Sequence, residues 1–191
     1  MYKIAQVVLR IIFWLLFRLK AVGAGNIPMS GPVIVCCNHR NLLDPPIVGC
    51  PLPRKMRFMA KAELFKVPVF SQIIRYFGAF PVKRGGMSKE TIKTTLNLLR
   101  DNQVLCIFPE GSRNADLGEG KKGAATFAIR TNAMILPAAI IGNYKLFRPL
   151  KVVYGQPFYV TPPEHLPAAE QLEAATEQIM ASIRELIERH S

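Results

Sequence analysis

Negative charge is what this chain has least of. Its 191 residues include 13 Asp and Glu against 25 Lys and Arg, a formal net charge of +12. The shortage is uneven. Residues 1–163 hold 23 basic and 7 acidic side chains, and residues 164–191 hold 2 basic and 6 acidic. A strongly basic body with a mildly acidic tail points to a polyanionic partner: nucleic acid, an anionic membrane or a phosphorylated substrate. Cysteines are few, and Cys36, Cys37, Cys50 and Cys106 form no Cys-x-x-Cys pair. All four sit in or beside apolar runs, as small buried hydrophobes in a reducing compartment do, so neither a disulfide framework nor a metal site is expected. Long apolar runs are also missing. The stretch from Ile4 to Phe17 is interrupted by Gln6 and Arg10. As a helix it would rise ~21 Å, short of the ~30 Å hydrocarbon core of a bilayer. No small-residue cleavage pattern follows it, so a signal peptide is not expected. No internal repeat, low-complexity segment or nucleic-acid recognition motif is present. The aromatics lie mostly in apolar strands or the first segment, which disfavours nucleic acid as the partner.

What is there is enough for one domain with a full core: half the residues are hydrophobic and mean hydropathy is +0.18. Residues 1–20 read as a helix, and residues 21–191 as the domain proper. On a helical wheel Lys3, Gln6, Arg10, Arg18 and Lys20 share one broad side. Ile4, Val8, Ile11, Ile12, Leu15, Leu16 and Leu19 share the other. That pattern suits an amphipathic helix lying in the headgroup region, held by apolar burial and by basic residues on anionic lipid. An ordinary core helix packed on the domain is the competing reading.

Along the domain, Ala21 to Gly31 reads as a small-residue linker. Val33–Cys37, Met56–Ala60, Phe77–Val82, Val104–Phe108 and Met134–Ile141 read as strands, the last with Pro137 at a bulge or sheet edge. Helices are expected from Asp44–Pro45, where Asp44 would be the N-cap, and over Val67–Tyr76, from Ser88 to Arg100, and over Lys121–Thr131. Lys151–Tyr154 and Phe158–Val160 read as a strand pair, and Ala168–Arg189 as a long amphipathic helix. Strands alternating with helices from residue 33 to 141 predict a single α/β layer domain with a largely parallel central sheet flanked by helices. In such sheets the loops after the strands converge on one crevice. His39, Lys61, Arg84 and the Glu110–Arg113 segment each follow a predicted strand.

His39 and Asp44 are separated by a strand-to-helix junction, which supplies the turn that five residues of straight helix would not. A neutral imidazole can take a proton from an alcohol, and a carboxylate on its other nitrogen fixes the tautomer and stabilises the imidazolium that forms. Read plainly, Asp44 caps a helix and His39 fills a loop. Spacing by itself does not choose between the two. Cations beside a base suit a substrate carrying both a phosphate and a hydroxyl, Arg by its planar fork and Lys as a point charge. Glu110 could accept from a substrate hydroxyl or orient an Arg, and Gly111 lets backbone approach a ligand.

Asn38-His39-x4-Asp44 resembles the His-x4-Asp motif of the glycerophospholipid acyltransferases. Gly78-Ala79-Phe80-Pro81-Val82-Lys83-Arg84 is similar to their second motif, and Phe108-Pro109-Glu110-Gly111-Ser112-Arg113 to their third. Leu136-Pro137 with its apolar flanks is similar to the fourth, with small Ala138 and Ala139 where many relatives carry bulkier residues. The likeness is strongest to the bacterial 1-acylglycerol-3-phosphate branch, in a compact form. It implies that His39, oriented by Asp44, deprotonates the sn-2 hydroxyl of lysophosphatidic acid. The oxygen then attacks an acyl thioester, of coenzyme A or acyl carrier protein, without an acyl-enzyme and without a cofactor or metal. It also implies that Arg84 and Glu110, Gly111, Ser112 and Arg113 hold the glycerol phosphate. Lys61 is a further phosphate candidate by position. Peripheral attachment at the cytoplasmic face of the cell membrane is expected. Glycerol 3-phosphate, another lysophospholipid or a lyso-aminolipid as acceptor remain open, as do a non-catalytic lipid-binding module and a basic nucleic-acid-binding protein.

Overall fold

The computed structural model describes residues 2–82, 88–113 and 117–191. In chain order the elements are α1 (Tyr2–Phe17), β1 (Lys20–Val22), β2 (Val33–Cys37), α2 (Asp44–Gly49), β3 (Met56–Lys61), α3 (Pro68–Tyr76) and β4 (Ala79–Val82). There follow α4 (Lys89–Arg100), β5 (Val104–Ile107), α5 (Gly123–Thr131), β6 (Met134–Gly142), β7 (Leu150–Tyr154) and α6 (Ala168–His190). The seven strands form one sheet in the order β1-β7-β6-β2-β5-β3-β4, parallel from β6 to β4. This is the expected α/β architecture, with helices on both faces.

β2 sits in the middle, and its run Val33–Cys37 is buried at every position. A strand can be apolar without alternation only when both faces of its sheet are covered. Val33, Val35 and Cys37 pack on one face with Phe13 and Phe17 of α1 and Ile47 and Val48 of α2. Ile34 and Cys36 pack on the other with Leu99 of α4, Ala124, Ala125 and Ala128 of α5, and Ile179 and Ile183 of α6. Ser88 caps α4 as expected, its hydroxyl accepting the Thr91 N–H at 3.1 Å.

The structure corrects several local expectations. The stretch read as a linker contains β1, paired parallel with β7 at the sheet edge. Three residues without burial carry no hydrophobic signal, so only the neighbouring strand reveals them. Asp44 is not the N-cap of α2. Leu43 holds that position, and Asp44 turns its carboxylate back on the preceding loop. Phe158 does not pair with β7; it bridges Ile135 of β6, as β7 does further along. Pro137 lies well inside the sheet rather than at its edge. There the antiparallel register steps by one residue, from Ala138 opposite Tyr154 to Ile135 opposite Phe158. The step accommodates the missing N–H of the proline. Gly155 is needed beside it, since a Cβ there would lie 2.9 Å from Pro137 Cγ. The strand expected from Phe77 begins at Ala79, after Gly78 at φ +100°.

α1 packs on the domain, but by the side read as polar. Gln6, Phe13 and Phe17 are buried. The Gln6 amide donates to the carbonyls of Gly49 and Leu52 at 3.4 and 3.2 Å, closing the end of α2. The face left outward is almost wholly apolar, with Ile4 68% and Trp14 61% exposed and Val7, Val8, Ile11 and Leu15 beside them. The Tyr2 ring lies 6.1 Å from that of Tyr76, so the start of α1 meets the end of α3. Among the described residues no helix is long and apolar enough to cross a membrane.

Candidate active site

The alternation of β2, carried two residues past its end, puts His39 on the side of α2. His39 Nδ1 is 2.7 Å from Asp44 Oδ2; the histidine side chain is 18% exposed and the aspartate fully buried. A buried carboxylate must be met by donors. Asp44 Oδ2 also accepts the N–H groups of Arg40 at 2.6 Å and Asn41 at 2.8 Å, and Oδ1 accepts the hydroxyl of Tyr144. With the carboxylate on Nδ1, the neutral ring carries its proton there and Nε2 is the basic nitrogen. The expected pair is therefore assembled, by the turn Asn38–Leu43.

The ring of Phe108 stacks on His39 at 4.1 Å between centroids and 19° between planes. It comes from the end of β5, the parallel neighbour of β2. Two residues on, Glu110 is buried, with Oε1 accepting the His39 N–H and Oε2 the Gly118 N–H, both at 3.1 Å. Glu110 thus ties the histidine's backbone to the 117–120 loop. Gly111 turns at φ +70°, and the Lys121 side chain lies against it, 2.8 Å from where a Cβ would be. Ser112 and Arg113 are exposed beyond it. Lys61 ends β3, exposed and at the same edge of the sheet as His39. With strands ~4.8 Å apart it stands about 10 Å along the edge, β5 lying between. Arg84 lies outside the described residues. Among the described residues no cluster of His, Cys, Asp or Glu could hold a metal ion.

Two residues support the site in ways the sequence did not show. Asn38, buried, clamps β2 to β6: its Nδ2 donates to the Ile140 carbonyl at 3.1 Å and its Oδ1 accepts the Ile140 N–H at 2.8 Å. Tyr144 lies 100 residues from Asp44 in a loop whose pattern marks nothing. Its phenol is pushed above its usual range by burial first and then by the Asp44 charge, so it stays protonated and donates. Arg40 is pinned by Nη1 donating to the Gly142 carbonyl at 2.8 Å. Beside these groups an open groove is lined by Asn38, Arg40, Leu117, Asn143, Arg184 and Ile187.

A family model described as Acyltransferase matches residues 18–141, from β1 through nearly all of β6. The chain belongs to the acyltransferase family. It is 32% identical over 192 residues to a Bacillus subtilis 1-acyl-sn-glycerol-3-phosphate acyltransferase, covering 97% of this chain and 96% of that one. It is 36% identical over 115 residues to the enzyme of the same name from Streptococcus pneumoniae, covering 59% of this chain and 43% of that one. Its fold is shared with the crystal structure of the 1-acyl-sn-glycerophosphate acyltransferase PlsC from Thermotoga maritima. The TM-score is 0.70 at 24% identity, over 97% of this chain and 79% of that one. The His39–Asp44 pair and the Glu110 turn both lie within the matched acyltransferase segment.

Proposed function

We propose that this acyltransferase moves a fatty acyl group from a thioester to the sn-2 hydroxyl of 1-acylglycerol 3-phosphate, giving phosphatidic acid in phospholipid biosynthesis. The observation that carries the mechanism is the 2.7 Å contact of His39 Nδ1 with a buried Asp44. Nε2 takes the hydroxyl proton as the oxygen attacks the thioester carbonyl. The tetrahedral intermediate collapses with cleavage of the C–S bond, and His39 returns the proton to the departing thiolate. Asp44 stays ionised and supports the transient imidazolium. No nucleophile of the protein's own is required. The names of the relatives support the acceptor, and the basic strand-end residues suit its phosphate: Lys61, Arg84 and Arg113, with Gly111 and Ser112 in the turn between. Glu110 serves the site by holding the His39 N–H.

The enzyme works from the membrane surface, peripheral and on the cytoplasmic face. The outward apolar face of α1, flanked by Lys3, Arg10, Arg18 and Lys20, supports this. Its 16 residues rise about 24 Å, so the helix lies in the headgroup plane instead of spanning.

The test offers lysophosphatidic acid with labelled acyl-coenzyme A or acyl carrier protein and identifies the lipid by mass. Phosphatidic acid from one donor is expected, with His39→Ala lowering kcat by at least about 100-fold. Product from glycerol 3-phosphate alone, or unchanged turnover by the variant, would overturn the acceptor or the base respectively.

A further inference from the structure

Four donors converge on Asp44, and three belong to its own turn: His39 Nδ1 and the N–H groups of Arg40 and Asn41, all on Oδ2. The other oxygen, Oδ1, is met from across the molecule by Tyr144. We infer that Tyr144 is a positioning residue for the His39–Asp44 pair, and that the packing of α1 sets it in place. This rests on the His39–Asp44 reading above.

The geometry is over-determined in a way that a spacer residue would not need. Three donors on Oδ2 come from the turn itself and move with it; the donor on Oδ1 comes from the loop after β6 and ties the same carboxylate, and so the line from Oδ2 to His39, to the far side of the site. The Tyr144 ring meets that of Phe17, the last residue of α1, edge-on at 5.8 Å and 76°. Phe17 is buried and packs also toward Phe13 at 6.4 Å. Just beyond Tyr144, the Phe147 N–H donates to the Leu16 carbonyl at 2.7 Å. The loop after β6 is therefore held against the end of α1 by a ring contact and a backbone hydrogen bond, and it presents the phenol to the carboxylate. Because burial keeps that phenol protonated, its donor role does not lapse at any pH where the enzyme would work.

Removing the hydroxyl has two separable consequences. The carboxylate loses a donor that stabilised its charge, so it supports the imidazolium more strongly and His39 gains its proton at higher pH. The carboxylate and its turn also lose their tie to the loop after β6, and looser alignment of the base lowers the chemical step.

The test is Tyr144→Phe, which keeps the ring on Phe17. With lysophosphatidic acid and acyl-coenzyme A, kcat should fall about tenfold with KM for the acceptor within about twofold. The acidic limb of the kcat/KM profile should move to higher pH. The His39 ring protons, assigned against His39→Ala, should titrate with the same upward shift by NMR in the folded variant. That readout needs no turnover. An unmoved His39 titration and unchanged kcat in Tyr144→Phe would overturn the inference while leaving the base in place, provided His39→Ala is inactive. An active His39→Ala would instead overturn the reading on which the inference rests.

Discussion

Asp44 carries a charge with no exposed surface, which is possible only because four donors surround it. Asp44→Asn keeps the volume but replaces one acceptor by a donor, so the amide must turn an N–H toward the backbone N–H groups of Arg40 and Asn41, or toward Tyr144. With the N–H toward the turn the His39 tautomer is no longer fixed, and in either orientation the charge that supports the imidazolium is gone. We expect kcat to fall by about 10²–10⁴, the scale of general base catalysis, measured in single-turnover acyl transfer with lysophosphatidic acid. Loss in KM alone would place Asp44 outside the chemistry. The histidine, the aspartate and the Phe108–Arg113 turn were legible as residues through their resemblance to the acyltransferase motifs; spacing by itself left the roles of His39 and Asp44 open. What Glu110 holds was not. Its partners are backbone N–H groups of His39 and Gly118, 71 and 8 residues away, and a backbone group leaves no mark in a sequence.

Among the elements, α1 shows how a helical wheel can sort two faces while leaving open which of them the domain takes. Its stripe of Tyr2, Gln6, Leu9, Phe13 and Phe17 repeats at helical spacing, and the domain takes that stripe because the Gln6 amide meets the end of α2 while Phe13 and Phe17 join the core, Phe17 against Tyr144. The aliphatic side is left over. Removing α1 would uncover Phe13 and Phe17's partners in the core, so a surface substitution is the cleaner probe. The triple variant Ile11→Asn, Trp14→Ser, Leu15→Asn changes only exposed positions. Its affinity for vesicles rich in phosphatidylglycerol should fall at least about tenfold, since apolar burial drives interfacial binding. Turnover on detergent-dispersed substrate should stay within about twofold by the same reasoning. Equal vesicle binding by variant and parent, measured by sedimentation, would remove α1 from the membrane surface.

Over the whole molecule, the two faces of the sheet bury all four cysteines, and burial raises every thiol; Cys50 is pushed up to about 12. Tyr144 and Tyr154 are raised for the same cause. These groups hold their protons more tightly folded than unfolded. Their contribution to stability is complete below the unfolded thiol pKa, near ~8.5, and is lost as pH rises toward the folded values. Chemical denaturation under reducing conditions should therefore give a flat stability from pH 6 to 8 and a decline from about pH 9, with a slope of up to about 1.4 kcal/mol per pH unit for each thiol. Cys50→Ala should make that decline shallower; an identical slope would show that burial of the thiol is not its source.

What the chain determined by itself was the core strands and helices from Val33 to Gly142, their alternation, and the order of motifs along the edge where parallel strands end. Each of these is written in neighbours a few residues apart, through apolar period, proline, glycine and caps. Only the tertiary structure decided which side of α1 faces outward, that β1 and β7 extend the sheet, that Asn38 bolts β2 to β6, and that Tyr144 reaches Asp44. Those contacts join residues from about forty to about 130 positions apart, where the free energy of burying a polar group depends on which partner the fold brings to it and not on the residues beside it in the chain.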